Sequence, residues 1–362
     1  MRPSPILNTV VIAGVGLIGG SIGLGIRERF LAKKVIGLDN NPETLEAALG
    51  MGVVDEIKLT AAEYLNDTDL VILASPVKSI VPLAKTIKPF LGKHTVVTDV
   101  GGVKAEICEA LSDLRFVGGH PMAGSEKSGV RHANAALLEN AVWAITPNPD
   151  TDPATIALLR EFVSHLGARP IRIEPKQHDR LVAAISHVPY LTAMALTQMI
   201  AGDKDKDLMM LLAAGGYRDL TRIASGDPIM SRDMVLGNTF AVKEAIVNLQ
   251  EKLEHIQSIL ENPEKLLENA KQAKQTRDSF PIVKRSLLPA KYEIVIAVPD
   301  RPGELAKITT ALGKAEVNIK DIEVLGIREQ GGAVRLAFND EPQQKRGIQT
   351  LANAGYEVVT RR

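Results

Sequence analysis

Between Thr9 and Thr146 the sequence alternates short runs of β-branched residues with amphipathic helical stretches. Strands joined by helical crossovers form a parallel sheet with helices on both faces. This pattern predicts an α/β, doubly wound domain, with strands at TVVIAG, VIGLD, LVILAS, TVVTDV, RFVGG and VWAIT. Because ligands of such sheets bind at the carboxyl ends of the strands, we expect functional residues in the loops that follow them.

The hydrophobic pattern changes beyond Pro149, where long helical periodicity replaces the alternation of strands and helices. A predicted helix that starts near Thr239 is too long to be covered by one small core. Its leucine and isoleucine stripe would suit a dimer partner, so we expect a homodimer. The stripe could instead pack within its own domain. The predicted boundaries are a nucleotide-binding domain at 1–171, an all-helical domain at 172–280, a proline-containing linker at 281–290 and a small domain at 291–362.

The chain has 362 residues, and its 43 basic and 43 acidic side chains cancel. We therefore expect neither a nucleic-acid partner nor an anionic membrane surface. The single cysteine, Cys108, excludes an internal disulfide and a thiolate metal cluster, and its helical neighbours favour a buried thiol over a reactive one. We expect a cytoplasmic protein, because the N-terminus shows no secretion signal and no apolar stretch approaches 18 residues.

The first predicted strand is followed by a glycine loop in which Gly14, Gly16 and Gly19 form G-x-G-x-x-G. The first glycine permits a tight turn, the second lets the backbone approach a pyrophosphate, and the third lets the next helix pack on the strand. That helix begins near Leu17, so the free amides at Leu17 and Ile18 are expected to bind phosphate. The first domain is therefore predicted to be a Rossmann-like dinucleotide-binding domain.

Asp39 ends the second predicted strand, twenty residues after Gly19. A carboxylate there accepts hydrogen bonds from the ribose hydroxyls and repels a 2′-phosphate. The next residues, Asn40 and Asn41, supply no positive charge to offset that repulsion. The predicted cofactor is NAD rather than NADP.

Three polar positions lie at the ends of later strands. Ser75 follows LVILA, the loop TDVGGVK covers 98–104, and His120 lies within GGHPMAGSEKSGV. A lone imidazole held between glycines and a proline near a nicotinamide site is suited to take a proton from an alcohol. From the pattern alone, Ser75 could be only a turn residue.

The sequence resembles the prephenate dehydrogenase family over residues 8 to about 280. The segments that carry the resemblance are GVGLIGGS, LASPV, TDVGGVK, GGHPMAGSEKSG, ISHVPY and YRDLTRIASGDPIMSRD. The resemblance implies an NAD-dependent oxidative decarboxylation of prephenate to 4-hydroxyphenylpyruvate, or alternatively of arogenate to tyrosine.

The resemblance also implies roles for individual residues. His120 is the base that polarises the substrate hydroxyl, and Ser75 hydrogen-bonds near both the hydroxyl and the nicotinamide. Arg222 binds the ring carboxylate, and Arg218, four residues away on the same helical face, lies at the site entrance. In isolation both arginines would more often be surface charges. The further pocket residues implied are Ser125, Glu126 and His187.

Two positions depart from the family pattern. Tyr190 stands in SHVPY where many relatives have a second histidine, and Ser231 stands in PIMSRD where many have tryptophan. Both flank the region that would receive the three-carbon side chain of the substrate. The sequence therefore leaves the preference between prephenate and arogenate open.

After the linker the predicted elements follow the order β-α-β-β-α-β, which is the ferredoxin-like arrangement. This segment resembles an ACT domain, a small amino-acid-sensing module, with VPDRPGELA and VNIKDIEVL at its ligand loop. The resemblance implies an effector site at Asp300, Gly303 and Asn318, with tyrosine as the effector. The alternative is a packing or dimerising module with no ligand.

Two other functions are compatible with this domain organisation. One is an NAD-linked hydroxy-acid dehydrogenase, although such enzymes usually rely on a lysine in the helical domain. The other is a non-catalytic sensor of NAD and an amino acid, which would have no use for His120, Ser75 and Arg222 together.

Overall fold

The chain forms two compact units, Met1–Ser279 and Phe280–Arg362. The computed structural model describes residues 4–124, 127–280, 292–299, 301–328 and 331–360. Each unit has its own sheet, of eight and four strands respectively. The predicted linker at 281–290 lies outside the described residues.

The first unit is built around the eight-stranded sheet. Its strands are β1 (Leu7–Ala13), β2 (Ala32–Leu38), β3 (Glu56–Lys58), β4 (Leu70–Leu73), β5 (Val96–Asp99), β6 (Phe116–Pro121), β7 (Val142–Thr146) and β8 (Arg169–Arg172). Their order in the sheet is β3-β2-β1-β4-β5-β6-β7-β8, and β1 to β6 run parallel. The predicted Rossmann-like architecture is confirmed.

The sheet departs from the prediction at β7, which runs antiparallel to β6 and pairs Gly118 with Thr146. A parallel strand needs a crossover that carries the chain back to the opposite edge of the sheet. The connection between β6 and β7 instead forms two short 3₁₀ turns, Val130–His132 and Ala135–Leu138, that pack against the first helix. The chain therefore re-enters the sheet from the carboxyl edge, and the expectation of an all-parallel sheet was wrong.

Helices cover both faces of this sheet. They are α1 (Leu17–Arg29), α2 (Pro42–Gly50), α3 (Val77–Ile87), α4 (Ala105–Ala110) and α5 (Pro153–His165). Successive residues of a strand point to opposite faces, so Ile12 packs with Ile22 and Phe162 on one side, whereas Val11 packs with Ile80 on the other. Burial on both faces explains why the strands are continuous apolar runs.

The rest of the first unit is helical. The helices are α6 (Pro175–Val182), α7 (Val188–Ala201), α8 (Lys206–Leu212), α9 (Gly215–Thr221), α10 (Pro228–Leu236), α11 (Thr239–Ser258) and α12 (Pro263–Ser279). A π-helical turn, Ala183–His187, joins α6 to α7 without a break. Several large apolar side chains of this part are exposed in the single chain, among them Leu211 (79%) and Phe240 (77%).

One expectation about these helices was wrong. The helix predicted from Thr239 ends at Ser258, because Pro263 starts a new helix whose Lys265 amide donates to Asn262 Oδ1. The segment Pro175–Ala201 is long and apolar enough to cross a membrane by length and composition, with a mean hydropathy of 1.2 over 18 of its residues. It reaches that value through scattered apolar residues rather than one unbroken run. Its first turn is bonded to the nucleotide-binding domain, as a helix of a folded core would be.

The second unit has the predicted β-α-β-β-α-β order. Its elements are β9 (Tyr292–Val298), α13 (Glu304–Lys314), β10 (Ile319–Arg328), β11 (Gly331–Phe338), α14 (Glu341–Asn353) and β12 (Val358–Thr360). The sheet order is β10-β11-β9-β12, with all pairs antiparallel. Ile294, Ile308, Leu312 and Leu336 form the core between the helices and one face of the sheet.

Candidate active site

The glycine loop between β1 and α1 has the geometry that its sequence predicts. Gly14 has φ +99°, and a Cβ on it would lie 2.7 Å from the backbone of Ala74 and Ser75. A Cβ on Gly19 would collide with the Gly14 carbonyl and would lie 3.0 Å from the Ile12 side chain. Gly16, the residue before α1, faces open space, since a Cβ there meets no atom within 4 Å. The loop thus leaves room for a ligand at Gly16 and at the helix amides of Leu17 and Ile18.

Asp39, directly after β2, is tied to this loop. Its Oδ2 accepts the Val15 amide at 2.9 Å, and its Oδ1 accepts the Asn41 amide at 3.0 Å. The half-buried carboxylate therefore has a fixed orientation beside the glycine loop. Each of its oxygens keeps capacity for a further donor, as a ribose hydroxyl requires.

Ser75 lies just beyond β4, against the glycine loop. Its Oγ is buried, and no group of the described residues hydrogen-bonds it. A buried hydroxyl without a partner is unfavourable, and a ligand at the carboxyl edge of the sheet would supply the missing partner. The open space at Gly16, the carboxylate of Asp39 and this hydroxyl together fit a dinucleotide such as NAD.

His120 projects from the end of β6, opposite Ala144 of β7. Gly119 precedes it in the chain, and Gly102, in the loop after β5, lies beside its ring. A Cβ on Gly119 would lie 2.8 Å from Trp143 Nε1, and a Cβ on Gly102 would lie 3.8 Å from His120 Nε2. The Nε2 edge of the imidazole therefore faces the loop after β5, on the cofactor side of the sheet.

A buried ion pair holds that loop. Asp99 and Lys104 are both fully buried and form a salt bridge, and Lys104 Nζ also donates to the Gly119 carbonyl at 2.9 Å. Asp99 accepts the amides of Gly101 at 2.8 Å and Gly119 at 3.0 Å. The pair therefore fixes the backbone of Gly119, the residue before His120, and of Gly101 in the loop after β5. The segment TDVGGVK was predicted to lie at the end of a strand, but the ion pair within it was not predicted.

The helical domain contributes a second group of polar side chains, of which only His187 was expected from the sequence. His120 Nδ1 lies 2.9 Å from His178 Nε2, and His178 Nδ1 lies 2.8 Å from Asp179 Oδ1. Asn238 donates to the Asp179 carbonyl at 2.7 Å, and its Nδ2 lies 3.3 Å from His187 Nδ1. The dipeptide HD at the start of α6 was visible in the sequence, but only the tertiary contact with β6 reveals its use.

Burial lowers the pKa of His120 well below its ordinary value, and the nearby His178, Lys104 and His187 act in the same direction. Burial also lowers the pKa of His187 to about 4, an effect opposed by Asp179 and reinforced by His178. Both imidazoles are therefore neutral at physiological pH. A neutral His120 can accept a proton, which is the property that a general base needs.

Two of the other expected substrate residues lie on elements that pack against α7, the helix that follows His187. Arg218 on α9 and Arg222 at the start of a 3₁₀ turn (Arg222–Ser225) are exposed, and that turn packs against α7. Tyr190, on α7, is half-buried, and Ser231, on α10, is buried. The expected residues Ser125 and Glu126 lie outside the described residues.

In the second unit, a cavity of about 160 Å³ lies beside the start of α13. Gly303, with φ +88°, lines it together with Val298, Arg301 and Glu304. Asn318 does not line this cavity, and its amide donates to Gln343 Oε1 at 3.1 Å. Asp300 lies outside the described residues.

Comparisons with known proteins agree with this geometry. Three family models match, described as the prephenate dehydrogenase nucleotide-binding domain (residues 22–172), the prephenate dehydrogenase dimerization domain (174–272) and the ACT domain (292–355). A prephenate dehydrogenase of Bacillus subtilis is 34% identical, over 97% of this chain and 98% of its own length.

Two solved structures extend the comparison. Prephenate dehydrogenase of Aquifex aeolicus, in complex with hydroxyphenyl propionate and NAD⁺, matches with a TM-score of 0.72 and 34% identity over 76% of this chain and 99% of that one. Synechocystis arogenate dehydrogenase matches with a TM-score of 0.69 and 32% identity over 75% of this chain and all of that one. The chain therefore belongs to the prephenate dehydrogenase family and carries a C-terminal ACT domain.

Proposed function

We propose that this protein catalyses the NAD-dependent oxidative decarboxylation of prephenate to 4-hydroxyphenylpyruvate. The observation that carries the proposal is the position of His120, a neutral imidazole whose Nε2 faces the cofactor side of the sheet beside Gly102. Its surroundings fit NAD through the glycine loop, Asp39 and Ser75. The family relationship makes prephenate the first substrate to test.

In this proposal His120 starts the reaction. Its Nε2 accepts the proton of the ring hydroxyl, which raises the electron density at the carbon that bears the oxygen. NAD⁺, when bound, supplies the acceptor for the hydride that leaves this carbon. The ring carboxylate departs as carbon dioxide, its bonding electrons complete the aromatic ring, and the new phenolic oxygen takes back a proton from His120.

The other residues orient the substrate. Ser75 Oγ, which has no partner among the described residues, donates to or accepts from the reacting hydroxyl. A guanidinium matches the two oxygens of a carboxylate, so Arg222 binds the ring carboxylate and Arg218 lies at the entrance. Ser125, Glu126 and His187 complete the pocket. Because aromaticity drives the loss of carbon dioxide, most of the protein's contribution is orientation.

The test is the formation of reduced cofactor and carbon dioxide from prephenate and NAD⁺, measured in parallel with arogenate. We expect a higher kcat/KM with prephenate. A preference for arogenate would move the protein to the arogenate dehydrogenase activity named for its Synechocystis relative. No reaction with either compound would favour a different hydroxy-acid dehydrogenase.

Substitution of Arg222 separates binding from chemistry. Arg222→Gln removes the guanidinium that binds the carboxylate, so KM for prephenate should rise far more than kcat falls. Arg160→Gln, an exposed arginine on α5, is the matched control and should leave both constants unchanged. An unchanged KM in Arg222→Gln would remove the proposed role.

We further propose a soluble cytoplasmic homodimer. The exposed apolar side chains of the helical part, including Leu211 and Phe240, form the kind of surface that a second copy covers. Tyrosine is the proposed effector, bound at the ACT cavity that Gly303 lines. It lowers activity by binding a less competent arrangement more tightly, since an effector shifts an equilibrium only through different affinities for the two states.

A further inference from the structure

In the hydrogen bonds that join His120 to α6, the donor and the acceptor of each contact can be assigned. We propose that Asp179 and His178 are positioning residues that hold the proton of neutral His120 on Nδ1, which leaves the Nε2 lone pair free for the substrate hydroxyl. The inference rests on the proposed function for His120 as the base. It concerns two residues of the helical domain that the sequence analysis did not connect with the reaction.

The chain of bonds begins at the Asp179 carboxylate, which is 5% exposed. Its Oδ1 accepts the Lys104 amide at 2.8 Å, and its Oδ2 accepts the Ala105 amide at 2.8 Å. Two backbone donors therefore fix the plane of the carboxylate. Because an ionised carboxylate only accepts, the contact of 2.8 Å with His178 Nδ1 requires that nitrogen to carry a hydrogen.

The position of that hydrogen determines the next one. A neutral imidazole with Nδ1–H has a lone pair on Nε2, so His178 Nε2 is an acceptor. The contact of 2.9 Å from His120 Nδ1 to His178 Nε2 therefore requires His120 to donate from Nδ1. The remaining nitrogen of His120, Nε2, is left unprotonated beside Gly102. The opposite tautomer of His120 would set two lone pairs against each other in a buried contact.

The same chain favours the charged form that appears during the reaction. When Nε2 takes the substrate proton, His120 becomes an imidazolium whose Nδ1–H still donates to His178. The Asp179 carboxylate lies at the other end of the chain, so its negative charge stabilises the cation through one intervening ring. The other ionisable groups near His120 are Lys104, Asp99 and His187, and none of them is hydrogen-bonded to it among the described contacts.

The tautomer is testable without substrate. We would record two-bond ¹⁵N–¹H correlation spectra of the full-length protein with ¹⁵N-labelled histidine at pH 8, and assign His120 by the peaks lost in His120→Asn. Free neutral histidine prefers the hydrogen on Nε2. We expect the reverse for His120, with the hydrogen on Nδ1, and an Nε2–H form in the wild type would overturn the proposal whether or not prephenate is turned over.

Two variants of His178 link the tautomer to the rate. His178→Leu removes the acceptor, and we expect His120 to change to the Nε2–H form and kcat to fall about 10- to 100-fold with little change in KM. In His178→Gln the amide oxygen accepts from His120 and the NH₂ group donates to Asp179, so this variant should restore the Nδ1–H form and most of the lost rate. His165→Leu, an exposed histidine on α5, is the matched control.

The outcomes are distinguishable. A slow His178→Leu in which His120 keeps its Nδ1–H form would show a merely structural role and would overturn the proposal. The proposal would also be overturned if the His178→Gln variant restored the Nδ1–H form of His120 but was as slow as His178→Leu. If His178→Leu does not fold, the wild-type and His178→Gln spectra still decide the question. Failure of the wild type to oxidise prephenate would instead refute the proposed function.

Discussion

Replacing Lys104 by methionine tests how strongly the buried ion pair supports the site. The ammonium of Lys104 contacts Asp99 and the Gly119 carbonyl, and both charged side chains are fully buried. Methionine fills the space of the aliphatic stem but provides no charge or donor. Asp99 would keep the two amides of Gly101 and Gly119 as its only remaining donors among the described residues.

The size of the effect follows from this geometry. Removing one member of a buried pair costs about 3–5 kcal/mol, because an uncompensated charge stays behind. We expect that loss in the free energy of unfolding of Lys104→Met. The matched control is Lys78→Met, since Lys78 pairs with Asp233 but is half exposed, and a pair of that kind contributes about 0–1 kcal/mol.

Tryptophan fluorescence can follow unfolding in this experiment. Trp143 is the one tryptophan of the chain, is fully buried, and lies against Gly119. Its fluorescence during guanidinium denaturation therefore reports the unfolding of the nucleotide-binding domain. A loss in Lys104→Met no larger than that in Lys78→Met would refute the reasoning. The double variant Asp99→Asn/Lys104→Met should regain part of the loss, because it removes the unpaired charge.

Three further predictions concern the cofactor, acid stability and regulation. Asp39→Ala removes the carboxylate that repels a 2′-phosphate, so the ratio of kcat/KM for NADP to that for NAD should rise, and an unchanged ratio would contradict the assignment. His187 has a pKa of about 4 in the folded protein, so the unfolded chain binds more protons between pH 6.5 and 4 and stability falls on acidification through that range. From pH 7 to pH 5 this lowers the free energy of unfolding by about 2 kcal/mol. In His187→Asn, which keeps an acceptor for Asn238, denaturation curves should no longer show this contribution. An equal loss in the variant would contradict the prediction. Deletion of residues 285–362 should abolish tyrosine binding away from the active site in calorimetry, and inhibition that persists would indicate competition at the active site instead.

The elements of the nucleotide-binding domain were largely predictable, because strands buried on both faces leave continuous apolar runs in the sequence. Two strands were missed for the same physical reason. Glu56–Lys58 and Arg169–Arg172 are short, polar edge strands, which lack such a run. The reversal of β7 was also missed, since strand direction depends on where the connecting segment packs and not on the strand's own residues.

The active site was predictable only in part. Gly14, Gly16, Gly19 and Asp39 follow from local geometry, because a turn, a helix start and a strand end are properties of neighbouring residues. The contact between His120 and His178 joins positions 58 residues apart, in different domains. No periodicity or spacing predicts that contact, and it appears only when α6 packs beside β6.

The π-helical turn Ala183–His187 is a place where the continuous helix can absorb a change of one residue in chain length. A π turn accommodates one residue more than an α-helical turn would, and such turns are frequent at functional sites. Deleting a single residue there would let the segment become α-helical and would leave α7 almost unrotated relative to Pro175–Val182, whereas the same deletion inside α6 or α7 would rotate the residues after it by about 100°. Homologous chains that differ by one residue at this turn could therefore present Tyr190 in the same direction.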